Sequence, residues 1–322
     1  MMKSLRLALL LCVLVIAAVA FPAAAQEENT FGLSAEDWAL FTGIQTPESS
    51  AYEFASQLGM DVGGNTVSWD LTGNGQFGDD LFALILDGSI SAEGSDTPLN
   101  LELRGVDGSL YISPDGGTNW FGGTQEEIEQ LLTGFTSMMG SSLPVNPDDL
   151  ASGDVSGLMS QPGVMEAVAG LSSLDPSTFI TIVRDADVDG NAHFVTSVDI
   201  ATLISSPELA PLIGSAAAGQ MGTTATELTE EQAAQISAMM AQMFAGSTVV
   251  LDQYIDPMSG QLQGLNLAVT LNVPTEDGAS GAISLTFAFD FTGEAASTVT
   301  APETFAPISE ALSGMGAMAG GM

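Results

Sequence analysis

From Leu265 to Val273 every odd-numbered residue is apolar, while Asn266, Ala268, Thr270 and Asn272 between them are small or polar. A period of two sends alternate side chains to opposite faces, so this stretch reads as a half-buried β-strand and not as a helix. The same parity runs through Ile283, Leu285, Phe287, Phe289 and Phe291 against Ser284, Thr286, Ala288 and Asp290, and Thr275 to Gly281 reads as the hairpin loop between the two. Val67, Trp69 and Leu71 alternate with Ser68, Asp70 and Thr72. Gly73-Asn74-Gly75 reads as a turn leading into an apolar strand from Leu81 to Leu86. Leu101 and Leu103 alternate with Glu102 and Arg104 before a Val106-Asp107-Gly108 turn and a short strand, Leu110-Tyr111-Ile112. Short connections of this kind imply antiparallel pairing.

Helical stretches separate the strand groups. Thr124 is placed to cap a helix with Glu127 at its third position, and Ile128, Leu131, Leu132 and Phe135 recur at helical spacing. Gly157 to Leu171 is a weaker helical stretch. Thr229 is placed to cap Glu230-Glu231-Gln232, with Ile236, Met239, Met240 and Met243 expected on one face. A hairpin from Phe179 to Ile200 and a last strand group from Thr248 to Phe291 complete the order. Strands and helices do not alternate one by one, so the expected class is α+β: one large antiparallel sheet with helices over one face.

Composition bounds the function classes. The chain has 322 residues, 40 acidic side chains and only four basic ones, for a formal charge of −36. Two of the four, Lys3 and Arg6, precede the apolar run Leu7 to Phe21, which ends in Pro22-Ala23-Ala24-Ala25. A charged start, a short apolar stretch and small residues before the break read as a secretory signal peptide over residues 1–25, cleaved after Ala25. The exported chain would keep Arg104 and Arg184 as its only cations. Counterion release from phosphates needs clustered cations, so no nucleic acid partner and no anionic membrane surface is expected. The same acid excess favours a soluble monomer. One histidine, His193, and one cysteine, Cys12, exclude a zinc site of nitrogen and sulfur ligands, a Cys/His nucleophile pair and a disulfide.

Several passages resemble the bacterial LppX/LprG-type lipoproteins and, more distantly, the LolA-type lipoprotein carriers. They are Asp107-Gly108-Ser109-Leu110-Tyr111-Ile112 followed by Trp120, Val188 to Phe194 leading to Val198-Asp199, Tyr254 to Gly260, and Asp290-Phe291 with Ala301-Pro302-Glu303. The resemblance implies a curved antiparallel sheet, a LolA-like half-barrel, whose concave face and covering helices enclose an apolar cavity for acyl chains. It implies one domain over residues 26–305, and the Gly-, Ala- and Met-rich end of the chain reads as a flexible tail over 306–322. Many members carry a lipidated N-terminal cysteine, which this chain lacks, and the family supplies no catalytic residues.

Candidate chemistry is sparse. Asp185, Asp187 and Asp189 before Gly190 match the first half of a calcium loop, but position 12 is Thr196 where a bidentate glutamate is needed, so a solvated hairpin turn is the expected reading and no metal or cofactor is implied. His193 has no G-x-S-x-G nucleophile elbow to serve, and no enzymatic activity is expected. Strand parity instead groups Trp69, Phe82, Leu84, Leu267, Val269, Phe287 and Phe289 as the lining of an apolar cavity. The function expected from these observations is a secreted, extracellular or periplasmic carrier of a lipid or other apolar small molecule. The alternative is a structural or interaction module of the cell envelope with a solid core and no ligand.

Overall fold

A computed structural model describes residues 30–62, 65–78, 81–92, 94–124, 175–206, 209, 230–274, 280–293 and 298–308. The strands are β1 (Ser50–Val62), β2 (Asn65–Gly78), β3 (Leu81–Ala92), β4 (Ser95–Val106), β5 (Ser109–Ser113), β6 (Phe121–Thr124), β7 (Ile180–Val188), β8 (Asn191–Asp199), β9 (Thr248–Ile255), β10 (Leu262–Pro274), β11 (Ser280–Gly293) and β12 (Ala306–Pro307). All belong to one sheet of order β12-β6-β5-β4-β3-β2-β1-β11-β10-β9-β8-β7. Pairing is antiparallel throughout, except for the short parallel contact of β12 with β6. Three α-helices, α1 (Ala35–Thr42), α2 (Ile200–Ser205) and α3 (Glu230–Met243), and a short 3-10 helix at Pro176–Thr178 are described. The protein is thus a mixed α+β structure with one large antiparallel sheet and helices to one side of it.

Two-residue turns set the register. Asp107 and Gly108 connect β4 to β5 with φ of 50° and 71°, and Asp189 and Gly190 connect β7 to β8 with φ of 51° and 85°. Two consecutive left-handed residues give the turn whose twist matches paired strands, and Asp-Gly tolerates that conformation best.

The register sorts side chains onto two faces. Tyr52 lies opposite Phe291 and Gly75, Gly75 opposite Leu84, and Leu84 opposite Leu103. The row therefore crosses five strands on one apolar face, here called the inner face. Its core sits at the β7–β10 end, where Ile180, Ile182, Phe194, Val198, Val249 and Ile255 are at most 4% exposed. Helices α1, α2 and α3 supply the covering layer: Trp38, Phe41, Ile200, Leu203, Ile204 and Met240 pack into the same clusters. Ser34 accepts the Asp37 amide at the start of α1 and Asp199 accepts the Thr202 amide at the start of α2, while the buried Ser237 hydroxyl in the middle of α3 donates to the Ile204 carbonyl and ties α3 to α2.

Four sequence expectations are corrected. Gly73-Asn74-Gly75 is not a turn but the middle of β2, because β1 lays an aromatic ring over each glycine. Met239 and Met240 do not share a face: consecutive residues on a helix are about 100° apart, and Met239 is 56% exposed while Met240 is 6% exposed. The apolar strand expected over Leu81 to Leu86 continues to Ala92. The sheet also extends past residue 305, since Ala306 and Pro307 pair with Phe121 and Gly122. The signal peptide and the helices expected after Thr124 and over Gly157 to Leu171 lie outside the described residues.

Candidate functional site

The seven residues grouped by parity all fall on the inner face. Leu267 lies opposite Phe287, Phe289 opposite Phe54, and Leu84 opposite Gly75, while Phe82 faces Phe77 and Trp69 faces Leu58. Their surroundings differ. Val269 is 8% exposed and belongs to the helix-covered core, with Leu267 packed against it. Trp69, Phe82, Leu84, Phe287 and Phe289 are half-buried. They belong to β11, β2 and β3, and none of the five is a member of either core cluster.

That half-buried stretch is aromatic. Tyr52 stacks on Phe289 at 4.8 Å between centroids, Phe289 meets Phe291 edge-on at 5.0 Å, and Phe54 lies 6.2 Å from Phe287. Phe77 contacts both Tyr52 and Phe291. Gly73 and Gly75 make the arrangement fit: a Cβ on Gly73 would stand 2.6 Å from Phe54 Cζ, and one on Gly75 would stand 2.6 Å from Tyr52 Cζ. A ring laid over a strand glycine regains the contact area that the missing side chain gives up. Tyr52 is 7% exposed, and burial raises its phenol above the ordinary value of 10.0. Sequence parity grouped neither Tyr52 nor Phe54 with the site. The signal was present in Tyr52, Phe54, Leu58 and Met60, which alternate with Glu53, Gln57 and Asp61.

The outer face is polar and holds the groups that sequence reading weighed for chemistry. His193 Nε2 lies 2.8 Å from Asp252 Oδ1, and its ring stacks on Tyr254 at 4.8 Å. Asn266 Nδ2 donates to the Tyr254 hydroxyl at 3.2 Å. Burial is the main cause raising the Tyr254 phenol, with the Asp252 and Asp290 charges adding to it. The three aspartates of the calcium-like loop do not converge. Asp187 bonds Arg184, Asp185 accepts the Ala186 amide at 2.7 Å, and Asp189 occupies the hairpin turn. β7 continues to Val188 with a register shift after Asp185, so the carboxylates are strung along a hairpin instead of wrapping a cation. Among the described residues, no three His, Cys, Asp or Glu side chains are grouped as a metal would require. Among the described residues, both arginines are committed to the protein. Arg104 bonds Glu102 at 2.7 Å and lies 4.6 Å over Trp120, and Arg184 pairs with Asp37 and Asp187.

No family of proteins and no curated protein matches this sequence. Among solved structures, the chain is similar to the crystal structure of LprF from Mycobacterium bovis, at 12% identity and a TM-score of 0.26. The match covers 79% of this chain and 89% of that one.

The sheet offers two surfaces of opposite chemistry. The inner face over β11, β1, β2, β3 and β4 is apolar and half-buried, with Phe54, Phe77, Leu101 and Leu103 joining the residues named above. The outer face over β11, β1, β2 and β3 carries a hollow of about 450 Å³, bordered by Ser, Thr, Gln and Asp side chains. Among the described residues no helix is long and apolar enough to cross a membrane.

Proposed function

We propose that this protein is an exported, non-enzymatic carrier that holds a lipid or other apolar molecule against the inner face of β11, β1, β2, β3 and β4. The sheet would curve around the ligand as a half-barrel. One observation carries the reading: a continuous aromatic and aliphatic surface across five neighbouring strands stays half-buried, while the helices pack over β7–β10. Contiguous apolar surface of that extent is rare on a monomer unless it meets a ligand or partner. The polar atoms there are few. Trp69 Nε1 already donates to Ser56 Oγ at 3.1 Å, and the Tyr52 hydroxyl reaches the Ala83 carbonyl at 3.5 Å. Such a surface holds hydrocarbon and offers little to orient a polar substrate.

The β7–β10 end supports the solid-core alternative for its own part of the face. Phe194, Ile200 and Ile255 are fully buried there under the helices. The carrier reading is therefore confined to the other strands.

Native mass spectrometry of protein from its own host tests it, together with the emission of a lipophilic dye. A co-purifying apolar species is expected, and Phe287→Asp should release it while far-UV dichroism stays unchanged. Protein that carries no such species and leaves the dye unaffected refutes the carrier reading and leaves the envelope module.

A further inference from the structure

The geometry points to a second binding site, on the outer face of the sheet, for an uncharged polyhydroxylated ligand of the oligosaccharide class. The site is the hollow of about 450 Å³ over β11, β1, β2 and β3, within the range of about 300–1,000 Å³ usual for ligand pockets. Register builds it. Ser284, Gly59, Ser68 and Ser91 form one row across the four strands, and Thr286, Gln57, Asp70 and Ser89 form the next. Rows on one face are about 7 Å apart along the strands and neighbours within a row about 4.8 Å apart, so small side chains in the first row leave a depression beside the longer ones of the second. Gly59 deepens it, since a Cβ there would stand 2.9 Å from Ser284 Oγ.

The polar groups around this hollow are mostly uncommitted. Ser91 donates to Asp96, and Ser284 donates to the Gly59 carbonyl at 3.4 Å. The side chains of Gln57, Ser68, Asp70, Ser89 and Thr286 make no hydrogen bond or ion pair to any described residue. Hydroxyls and amides both donate and accept. A ligand that satisfies several of them within one small area must be dense in groups that do the same, as vicinal sugar hydroxyls are. No cation borders the hollow, which excludes phosphate, sulfate and carboxylate ligands. Leu58 and Trp69 border it, but parity sends both side chains to the inner face, which excludes an apolar ligand. A peptide would seek main-chain partners at a sheet edge, and all four strands here are interior to the sheet.

The full exported chain tests this by amide chemical-shift mapping and calorimetry. The probes are linear oligomers of glucose, mannose and N-acetylglucosamine, each at up to ~10 mM, where millimolar affinity registers, with a uronate oligomer as the anionic comparison. At least one neutral oligomer is expected to shift the amides of Ser68, Asp70 and Ser89. Ser89→Tyr should fill the hollow and weaken binding about tenfold or more, a loss of about 1.4 kcal/mol. Thr286→Tyr serves the same purpose from the other side. Thr248→Tyr, exposed at the start of β9, should bind as the unaltered protein does. No response to any neutral oligomer, shifts confined to another surface, unchanged binding in both groove variants, or a uronate bound as well as the neutral sugars would each overturn the proposal. The inner-face carrier reading survives any of these outcomes, because the two surfaces lie on opposite sides of the sheet.

Discussion

Replacing Gly75 by alanine tests the packing of the inner face at one atom. Gly75 lies in the middle of β2, opposite Tyr52 on β1 and Leu84 on β3. A Cβ there would stand 2.5 Å from the Tyr52 hydroxyl and 2.6 Å from its Cζ, with the Ala83 carbonyl oxygen closer still. The ring has nowhere to go, because it is 7% exposed and stacked on Phe289. Overpacking of this kind costs about 1–3 kcal/mol, and a main-chain blocking atom places this case near the top of that range. Alanine returns about 0.5–1 kcal/mol by restricting the unfolded chain. The net expectation is a loss of about 2 kcal/mol, or about 4–8 °C in Tm at about 2–4 °C per kcal/mol. Asn74→Ala is the internal control. Asn74 is exposed on the outer face between the two glycines, and its replacement should change stability by less than about 0.5 kcal/mol. Urea unfolding followed by far-UV dichroism measures both. A Gly75→Ala protein as stable as the original, or an Asn74→Ala protein less stable than Gly75→Ala, would falsify the packing and return this segment to a turn.

Three further outcomes are expected. Phe194→Ala should cost about 3–5 kcal/mol, read from denaturant midpoints, because its ring is 0% exposed, packs on Phe41 at 5.4 Å and lies under the Arg184 guanidinium; a cost below about 1 kcal/mol would show that the β7–β10 core is loose. Arg104→Ala should cost about 1 kcal/mol and speed proteolysis after residue 298, since Arg104 holds Glu102, Trp120 and the Thr300 carbonyl together; an unchanged cleavage pattern removes that role. Stability should fall at both pH extremes. The Asn119 backbone and side-chain amides lower the Asp115 carboxyl, and the Met258 amide followed by the Ser259 hydroxyl lowers Asp256, so their contributions are present above the ordinary carboxylate value of 3.8 and disappear as pH falls through the lower folded values. Burial raises Tyr52 and Tyr254 above 10.0, so stability present below that value disappears as pH rises through the folded values, and Tyr52→Phe should remove part of the alkaline loss in a dichroism titration.

Strand parity is a local property, and the amino-acid sequence by itself determined it. Alternation in residues 265–273 and 283–291 assigned Leu267, Val269, Phe287 and Phe289 to one face without knowledge of any neighbour, and the register places Trp69, Phe82 and Leu84 on that face as well. Turn chemistry was equally local, which is why the Asp107-Gly108 and Asp189-Gly190 hairpins stand where the sequence puts them.

What tertiary structure alone decided is who lies beside whom. The pairing of β1 with β11 joins segments more than 200 residues apart, and the pairing of β1 with β2 sets Tyr52 opposite Gly75 and Phe54 opposite Gly73. It reverses the meaning of Gly73 and Gly75: two glycines flanking an asparagine favour a turn by backbone freedom, yet here that freedom yields to rings from Tyr52 and Phe54, which need a strand without Cβ atoms beneath them. The same cross-strand register assembles the outer hollow from serines and a glycine that are unremarkable one by one. The division of the apolar face into a buried half and a half-buried one has the same origin. It depends on where α1, α2 and α3 come to rest, and alternation along a strand says which side is apolar but not what will cover it.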